Sequence, residues 1–151
     1  SINEILTAND EGPAPLMPFL EKLKNQFLLL YGAEYPIDLK LSGDDLTVSQ
    51  DQATDVALVV NELVSNAYKH AFKENGEIRV ILKNGERYAS VTVQDNGIGT
   101  EEIRNEGNFG MMLVQMTVKD KLKGKVYVES GENGTSVTFD FLIDKSTETG
   151  I

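Results

Sequence analysis

The longest periodic segment of the chain, residues 50–72, limits the fold more than any other feature. Apolar residues recur there at intervals of three and four positions, which predicts a helix with one continuous apolar face. A helix of this length has to bury that face against a second layer of structure. The apolar face comprises Ala53, Val56, Ala57, Val60, Leu63, Val64, Ala67 and Ala71.

The second layer is predicted to be a sheet. Apolar and polar residues alternate in several short segments, as in strands buried on one face, and Asn84-Gly85 predicts a hairpin turn. Apolar residues also recur at helical spacing from Pro15 to Gly32 and from Met111 to Leu122, which predicts two further helices. The order of elements predicts an α+β fold: a two-layer α/β sandwich, with a mixed, mainly antiparallel sheet covered on one face by about three helices. The predicted strands lie at 37–41, 78–82, 89–93, 126–128 and 137–143.

The chain has 151 residues, which suits one domain. We expect the domain to occupy residues 13–144. Residues 1–12 are polar and are interpreted as a linker or the remnant of a preceding helical domain, and residues 145–151 as a polar tail.

The charge balance excludes several classes of function. With 14 Lys plus Arg against 24 Asp plus Glu, the formal net charge is −10, which argues against binding to nucleic acid or to a membrane surface. Cysteine is absent, so disulfides, thiolate zinc sites and a cysteine nucleophile are excluded. No apolar run approaches the roughly 20 residues of a membrane span. We therefore expect a cytoplasmic protein without direct membrane insertion.

The first segment whose side chains are suited to ligand binding or catalysis is NELVSNAYKHAF at 61–72. On a helix, Glu62, Asn66, Lys69, His70 and Lys73 form one polar stripe. A carboxylate, an amide oxygen and ammonium groups suit a hydrated Mg²⁺ ion that holds phosphate oxygens. The same stripe is also typical of an ordinary solvated helix face.

Three shorter segments are ambiguous when taken singly. DNGIG at 95–99 ends a predicted strand, where Asp95 is suited to accept a hydrogen bond from an exocyclic amine, but the segment also fits a plain turn. GNFGMM at 107–112 opens a helix whose free N–H groups suit an anion, but it also fits a loop that enters a helix. Thr135, after Gly134, either reaches a ligand or caps a turn.

Taken together, in this order and at these spacings, the four segments resemble the nucleotide-binding motifs of the GHKL ATPases, which include histidine kinases, anti-sigma-factor kinases, gyrase B and MutL. NELVSNAYKHAF, DNGIG, GNFGMMLV and VYVESGENGTSVTFDF are most similar to the catalytic and ATP-binding domain of sensor histidine kinases, in the subgroup whose helix reads NELxxNAxKHAF. The resemblance covers residues 13–143. It implies a Bergerat fold, with ATP and Mg²⁺ as cofactors.

The resemblance also assigns roles to the helix stripe. It makes Asn66 the principal Mg²⁺ ligand and Glu62 the general base or a metal-site partner. Lys69 would contact phosphate as part of the catalytic machinery, with His70 or Lys73 beside it.

For the adenine and phosphate sides, the resemblance implies further contacts. Asp95 would accept from the adenine N6 amine, and Thr135 would support the adenine end. Residues 100–109 would form the ATP lid. The remaining nucleotide-binding residues would be Gly97, Ile98 and Gly99 in the adenine pocket, and Phe109, Gly110 and Met111 at the start of the phosphate-facing helix.

His70 is the only histidine, and its place in the nucleotide-binding helix argues against a phosphoacceptor role. The resemblance therefore implies that the γ-phosphoryl goes to a histidine on an acceptor and dimerisation domain outside this chain. A response regulator would be an indirect partner, and a homodimer is expected only in the full-length protein. Two alternatives stay open: an anti-sigma-factor serine kinase, and a nucleotide sensor without catalysis. The helix at 15–30 and the VESxxxGT pattern at 128–135 favour the histidine kinase.

Overall fold

The computed structural model describes residues 12–32, 37–70, 76–97 and 109–144. Within these ranges the chain forms three α-helices, one π-helical turn and seven strands. The elements are β1 (Pro13–Pro15), α1 (Leu16–Tyr31), β2 (Ile37–Gly43), β3 (Thr47–Ser49), α2 (Gln50–His70), β4 (Gly76–Lys83), β5 (Tyr88–Asp95), α3 (Phe109–Met116), the π turn (Thr117–Lys121), β6 (Val126–Gly131) and β7 (Gly134–Leu142).

Five strands form the main sheet, in the order β2-β4-β5-β7-β6. β2 runs parallel to β4, and the other neighbouring strands are antiparallel. Buried residues alternate along the strands, as at Val137, Phe139 and Phe141 of β7, so the core lies on one face of the sheet, beneath the helices. The predicted two-layer sandwich with a mixed, mainly antiparallel sheet is confirmed.

Helix α2 lies at the centre of the core, as its apolar periodicity predicts. Val56, Ala57 and Val64 on its inner face are almost fully buried. The helix begins with a side-chain cap, because the hydroxyl of Ser49 accepts the backbone N–H of Gln52 at 3.1 Å. Residues 71–72, the end of the predicted helix, lie outside the described residues.

The start of α2 is fastened to the end of β7 by Gln52, which is buried. Its Nε2 donates to the carbonyl of Leu142 at 2.8 Å, and its Oε1 accepts the backbone N–H of Asp144 at 2.8 Å. Because residues 63–67 of the same helix lie beside the beginning of β7, α2 runs along β7 in the opposite direction. This arrangement brings the last third of α2 to the end of β5.

A short second sheet was not predicted. Residues 13–15 pair antiparallel with 47–49, and the backbone N–H of Leu16 donates to the carbonyl of Leu46 at 2.8 Å. The sequence places two prolines in three residues at this point, which is a turn or loop signal. The pairing forms because proline is tolerated in edge strands.

The third predicted helix begins two residues earlier than expected, at Phe109, and changes its winding at Thr117. There the N–H of Leu122 donates to the carbonyl of Thr117, five residues back, at 3.0 Å. Apolar spacing does not reveal such a π turn, because one extra residue hardly changes the pattern. No helix in the described part of the chain is long and apolar enough to cross a membrane.

Candidate functional site

Residues from three elements meet around a small, partly enclosed cavity. Asn66 of α2, Asp95 at the end of β5 and Thr135 at the start of β7 line it together with apolar side chains of the core. The cavity measures about 10 Å³, which is space for about one water molecule. Residues that are widely separated in the sequence therefore form one polar group inside the apolar core.

Asp95 is 6% exposed, and its Oδ1 accepts two backbone N–H groups, from Gly97 at 2.9 Å and from Thr135 at 3.2 Å. None of the described residues donates to Oδ2. Burial raises the pKa of Asp95 above its ordinary value, and the two hydrogen bonds oppose this rise without cancelling it. The carboxyl group is thus held in place by one oxygen, while the other remains available as an acceptor.

Gly134 makes this geometry possible. Its φ is +124°, and a Cβ built on it would lie 2.0 Å from the carbonyl oxygen of Asp95. Only glycine combines this backbone conformation with so close an approach. Gly134 was not among the predicted site residues, because its contact depends on how β5 and β7 are paired.

Asn66 is 7% exposed, and among the described residues nothing pairs with its Nδ2. A buried amide without a partner costs about 1–3 kcal/mol, so this side chain suits a bound group better than a closed core. Along the same predicted stripe, Glu62 is half-buried and Lys69 is exposed. The stripe therefore passes from the core to solvent within two turns of helix.

The residues predicted for the phosphate side are placed less completely. Phe109 is 76% exposed at the start of α3, Gly110 is half-buried, and Met111 belongs to the core. Lys73, Ile98, Gly99 and most of the predicted lid lie outside the described residues, and only the backbone of His70 is described.

A larger pocket of about 520 Å³ opens where β5 and β6 end and β7 begins, a volume within the usual range for small-molecule sites. It shares Asp95 and Thr135 with the inner cavity and adds Ser130 and the β6–β7 turn. The hydroxyl of Ser130 lies 2.9 Å from that of Thr135. The sequence did not predict Ser130, because strand register is not visible in a local motif.

Comparison with known proteins agrees with this architecture. Residues 51–145 match the family described as Histidine kinase-, DNA gyrase B-, and HSP90-like ATPase. The chain is 32% identical over 111 residues to Blue-light-activated histidine kinase 2 of Erythrobacter litoralis, covering 69% of this chain and 32% of that protein. It is 29% identical over 109 residues to Sensor histidine kinase PdtaS of Mycobacterium tuberculosis, covering 68% and 22% respectively.

Among solved structures, the histidine kinase domain from the Erythrobacter litoralis EL346 blue-light activated histidine kinase superposes with a TM-score of 0.81. It is 24% identical, and the match covers 97% of this chain and 74% of that one. The chain spans between about a fifth and a third of the length of the curated relatives cited above. Motifs, fold and family match agree: the chain belongs to the histidine kinase-, DNA gyrase B- and HSP90-like ATPases, and is homologous to sensor histidine kinases.

Proposed function

We propose that this chain is the Mg·ATP-binding catalytic domain of a sensor histidine kinase. It transfers the γ-phosphoryl group of ATP to a histidine on an acceptor and dimerisation domain outside the chain. The observation that carries the proposal is the meeting of Asn66, Asp95 and Thr135 around one cavity on the scaffold of this ATPase family. The relatives reported above are all named as histidine kinases, which favours histidine over serine as the acceptor.

The base end of the nucleotide is recognised by Asp95. Its Oδ1 is occupied by the N–H groups of Gly97 and Thr135, so Oδ2 accepts the N6 amine of adenine. Thr135 is the cross-strand partner of Asp95 and lines the same cavity, and its hydroxyl supplies a second polar contact. Both groups are buried, so a base that fails to pair with them leaves polar atoms unsatisfied.

Residues of α2 bind the phosphate end of the nucleotide. The side-chain amide of Asn66 carries an oxygen suited to Mg²⁺ as well as the unpaired nitrogen, and rotation of the amide by a half-turn exchanges the two. Glu62, one helical turn earlier, adds a half-buried carboxylate, and the exposed Lys69 adds positive charge. These residues fit a hydrated Mg²⁺ ion, which when bound would neutralise phosphate charge during transfer.

The wider setting follows from the same proposal. The phosphoryl group passes from the acceptor histidine to a response regulator, and the full-length protein forms a homodimer through the acceptor domain. We place the domain in the cytoplasm, where ATP is the phosphoryl donor.

The proposal is tested by calorimetric titration of ADP and ATP, with and without Mg²⁺. Asp95→Asn removes a charged acceptor and should weaken ADP binding at least about tenfold, since hydrogen bonds to charged groups contribute about 1.5–3 kcal/mol. Asn66→Ala should remove most of the gain in ATP affinity that Mg²⁺ provides.

Two exposed residues give matched controls, Asp51→Asn at the start of α2 and Asn25→Ala on α1. Both should bind nucleotide like the parent chain. Unchanged binding in Asp95→Asn and Asn66→Ala alike would refute the site.

A further inference from the structure

Ser130 and Thr135 form a hydroxyl pair at the edge of the candidate site. They are direct cross-strand partners in the register of β6 and β7, with their hydroxyl oxygens 2.9 Å apart. Thr135 is 3% exposed and lines the inner cavity, whereas Ser130 is half-buried and lines only the outer pocket. Because cross-strand partners point to the same face of a sheet, both hydroxyls lie on the cavity side.

The direction of this hydrogen bond decides what Thr135 offers to a ligand. A hydroxyl group has one proton and two lone pairs. When Ser130 donates to Oγ1 of Thr135, the hydroxyl of Thr135 can donate its own hydrogen bond into the cavity. When Thr135 donates instead, its proton is used and only lone pairs face the ligand.

The arrangement in which Ser130 donates to Thr135 complements Asp95. The cavity then presents the carboxylate of Asp95 as an acceptor beside the hydroxyl of Thr135 as a donor. Adenine carries the complementary pair on its edge, the N6 amine next to the N1 acceptor. Guanine carries the reverse, an O6 acceptor next to an N1–H donor. Its acceptor would face the carboxylate of Asp95 and its donor would face the hydroxyl proton of Thr135.

We propose that Ser130 is a positioning residue for base selection. By donating to Thr135 it directs the Thr135 proton toward the base, and so increases the preference for adenine over guanine nucleotides. This inference rests on the proposed nucleotide-binding function and names a determinant of its specificity.

The test measures the affinities of the intact chain for ADP and GDP, in Mg²⁺, by calorimetry or competition. Ser130→Ala should weaken ADP binding by about threefold to tenfold, the usual range for a neutral hydrogen bond, and leave GDP binding unchanged or improved. The ratio of the two affinities should fall by the same factor. Ser130→Thr keeps a hydroxyl and should therefore keep the ratio of ADP affinity to GDP affinity close to that of the parent chain.

The sheet offers a matched control. Thr92 and Thr138 form a second hydroxyl pair at 2.8 Å between β5 and β7. Thr138 alternates with the buried residues of β7 and so lies on the opposite face from the cavity. Thr92→Val removes a hydroxyl of the same kind and should leave the ADP-to-GDP ratio unchanged.

A coupled pair of variants gives an independent readout. Thr135→Val should reduce the ratio as Ser130→Ala does, and the double variant should lose nothing further if the effect of Ser130 on the base passes through Thr135. Additive losses in the double variant would overturn the proposal. Equal weakening of ADP and GDP by Ser130→Ala would also overturn it, since that is the result of a purely structural role.

Failure of this inference is separable from failure of the proposed function. If Asp95→Asn abolishes ADP binding while Ser130→Ala keeps the ADP-to-GDP ratio, only the role of Ser130 is wrong. If Asp95→Asn also binds ADP normally, the nucleotide site itself is misplaced and the role of Ser130 falls with it. Thermal unfolding of each variant checks that the fold is retained, and Ser130→Thr supplies a folded comparison if Ser130→Ala unfolds.

Discussion

Gly134 shows how a single residue allows two strands to meet closely at the candidate site. Its backbone passes so close to the carbonyl oxygen of Asp95 that a Cβ would stand 2.0 Å from it, at a φ of +124° that side chains rarely adopt. At Gly131, on the other side of the same hairpin, a Cβ would meet nothing within 4 Å. The two glycines of one turn are therefore not equivalent.

We expect Gly134→Ala to lower the free energy of unfolding by about 1–3 kcal/mol through backbone strain alone. The displaced hairpin should also weaken ADP binding, because Thr135 and Asp95 move apart. Urea unfolding and ADP titration measure the two effects. Gly131→Ala should change both far less, and equal behaviour of the two variants would contradict the assigned contact.

At this scale the sequence predicted the residues that sit in local motifs. Asp95 lies in DNGIG and Thr135 follows a glycine before a strand, and the structure brings both together with Asn66. Ser130 and Gly134 were missed because their importance comes from the pairing of β7 with β6 and β5. The contact of Gly134 with Asp95 joins distant parts of the chain, so no local motif reveals it. Ser130 lies opposite Thr135 in a short hairpin, but that placement depends on the strand register.

Helix α1 packs on α2 through a group of aromatic rings. The ring centroids of Phe27 and Tyr31 are 5.6 Å apart, those of Phe27 and Tyr68 5.8 Å, and those of Tyr31 and Tyr68 5.3 Å. Tyr68 lies two residues after Asn66 on α2, so this group supports the helix next to the site. On the same turn of α1, Leu29 is 80% exposed.

Phe27→Ala should destabilise the fold by about 3–5 kcal/mol, the cost of removing a buried ring and leaving a cavity. Leu29→Ala, a truncation on the exposed side of the same turn, should stay within about 0.5 kcal/mol of the parent chain. Urea unfolding of both variants checks the difference. Comparable losses would mean that α1 does not pack on α2 as described.

At the scale of elements, strong periodicity was the reliable guide. It predicted α1, α2 and the strands of the main sheet, because each buries one regular face. It missed the pairing of 13–15 with 47–49, because prolines at 13 and 15 indicate a turn rather than a strand. It also missed the π turn after Met116. Both depend on backbone hydrogen bonds, which leave little trace in the order of apolar residues.

For the molecule as a whole, the comparisons show a kinase-domain fold over most of the chain but only a fraction of the length of a longer relative. The match to the EL346 kinase domain covers 97% of this chain, whereas its alignment with PdtaS covers only 22% of that protein. The single histidine, His70, belongs to α2. Because this residue belongs to the proposed nucleotide-binding helix, the proposed function assigns the acceptor histidine to another domain.

Incubation of the chain with γ-labelled ATP and Mg²⁺ should leave the chain itself unlabelled. Addition of an acceptor-domain fragment from the same locus should give a labelled product that is acid-labile, as phosphohistidine is. Asp95→Asn should reduce this labelling in proportion to its loss of nucleotide binding. An acid-stable product would instead indicate phosphoserine and a different class of kinase.

The hydrogen bonds of Gln52 also bring the end of the described chain to the start of α2. They place Asp144 at the start of α2, and the pairing of β1 with β3 brings Pro13 to the same end, beside Ser49. From Gln52 to Asn66 the helix rises about 20 Å, at about 1.5 Å per residue. In the proposed histidine kinase, an acceptor domain joined beyond either point would start about one such length from Asn66, and its histidine would have to cover that distance to reach the phosphate end of the nucleotide.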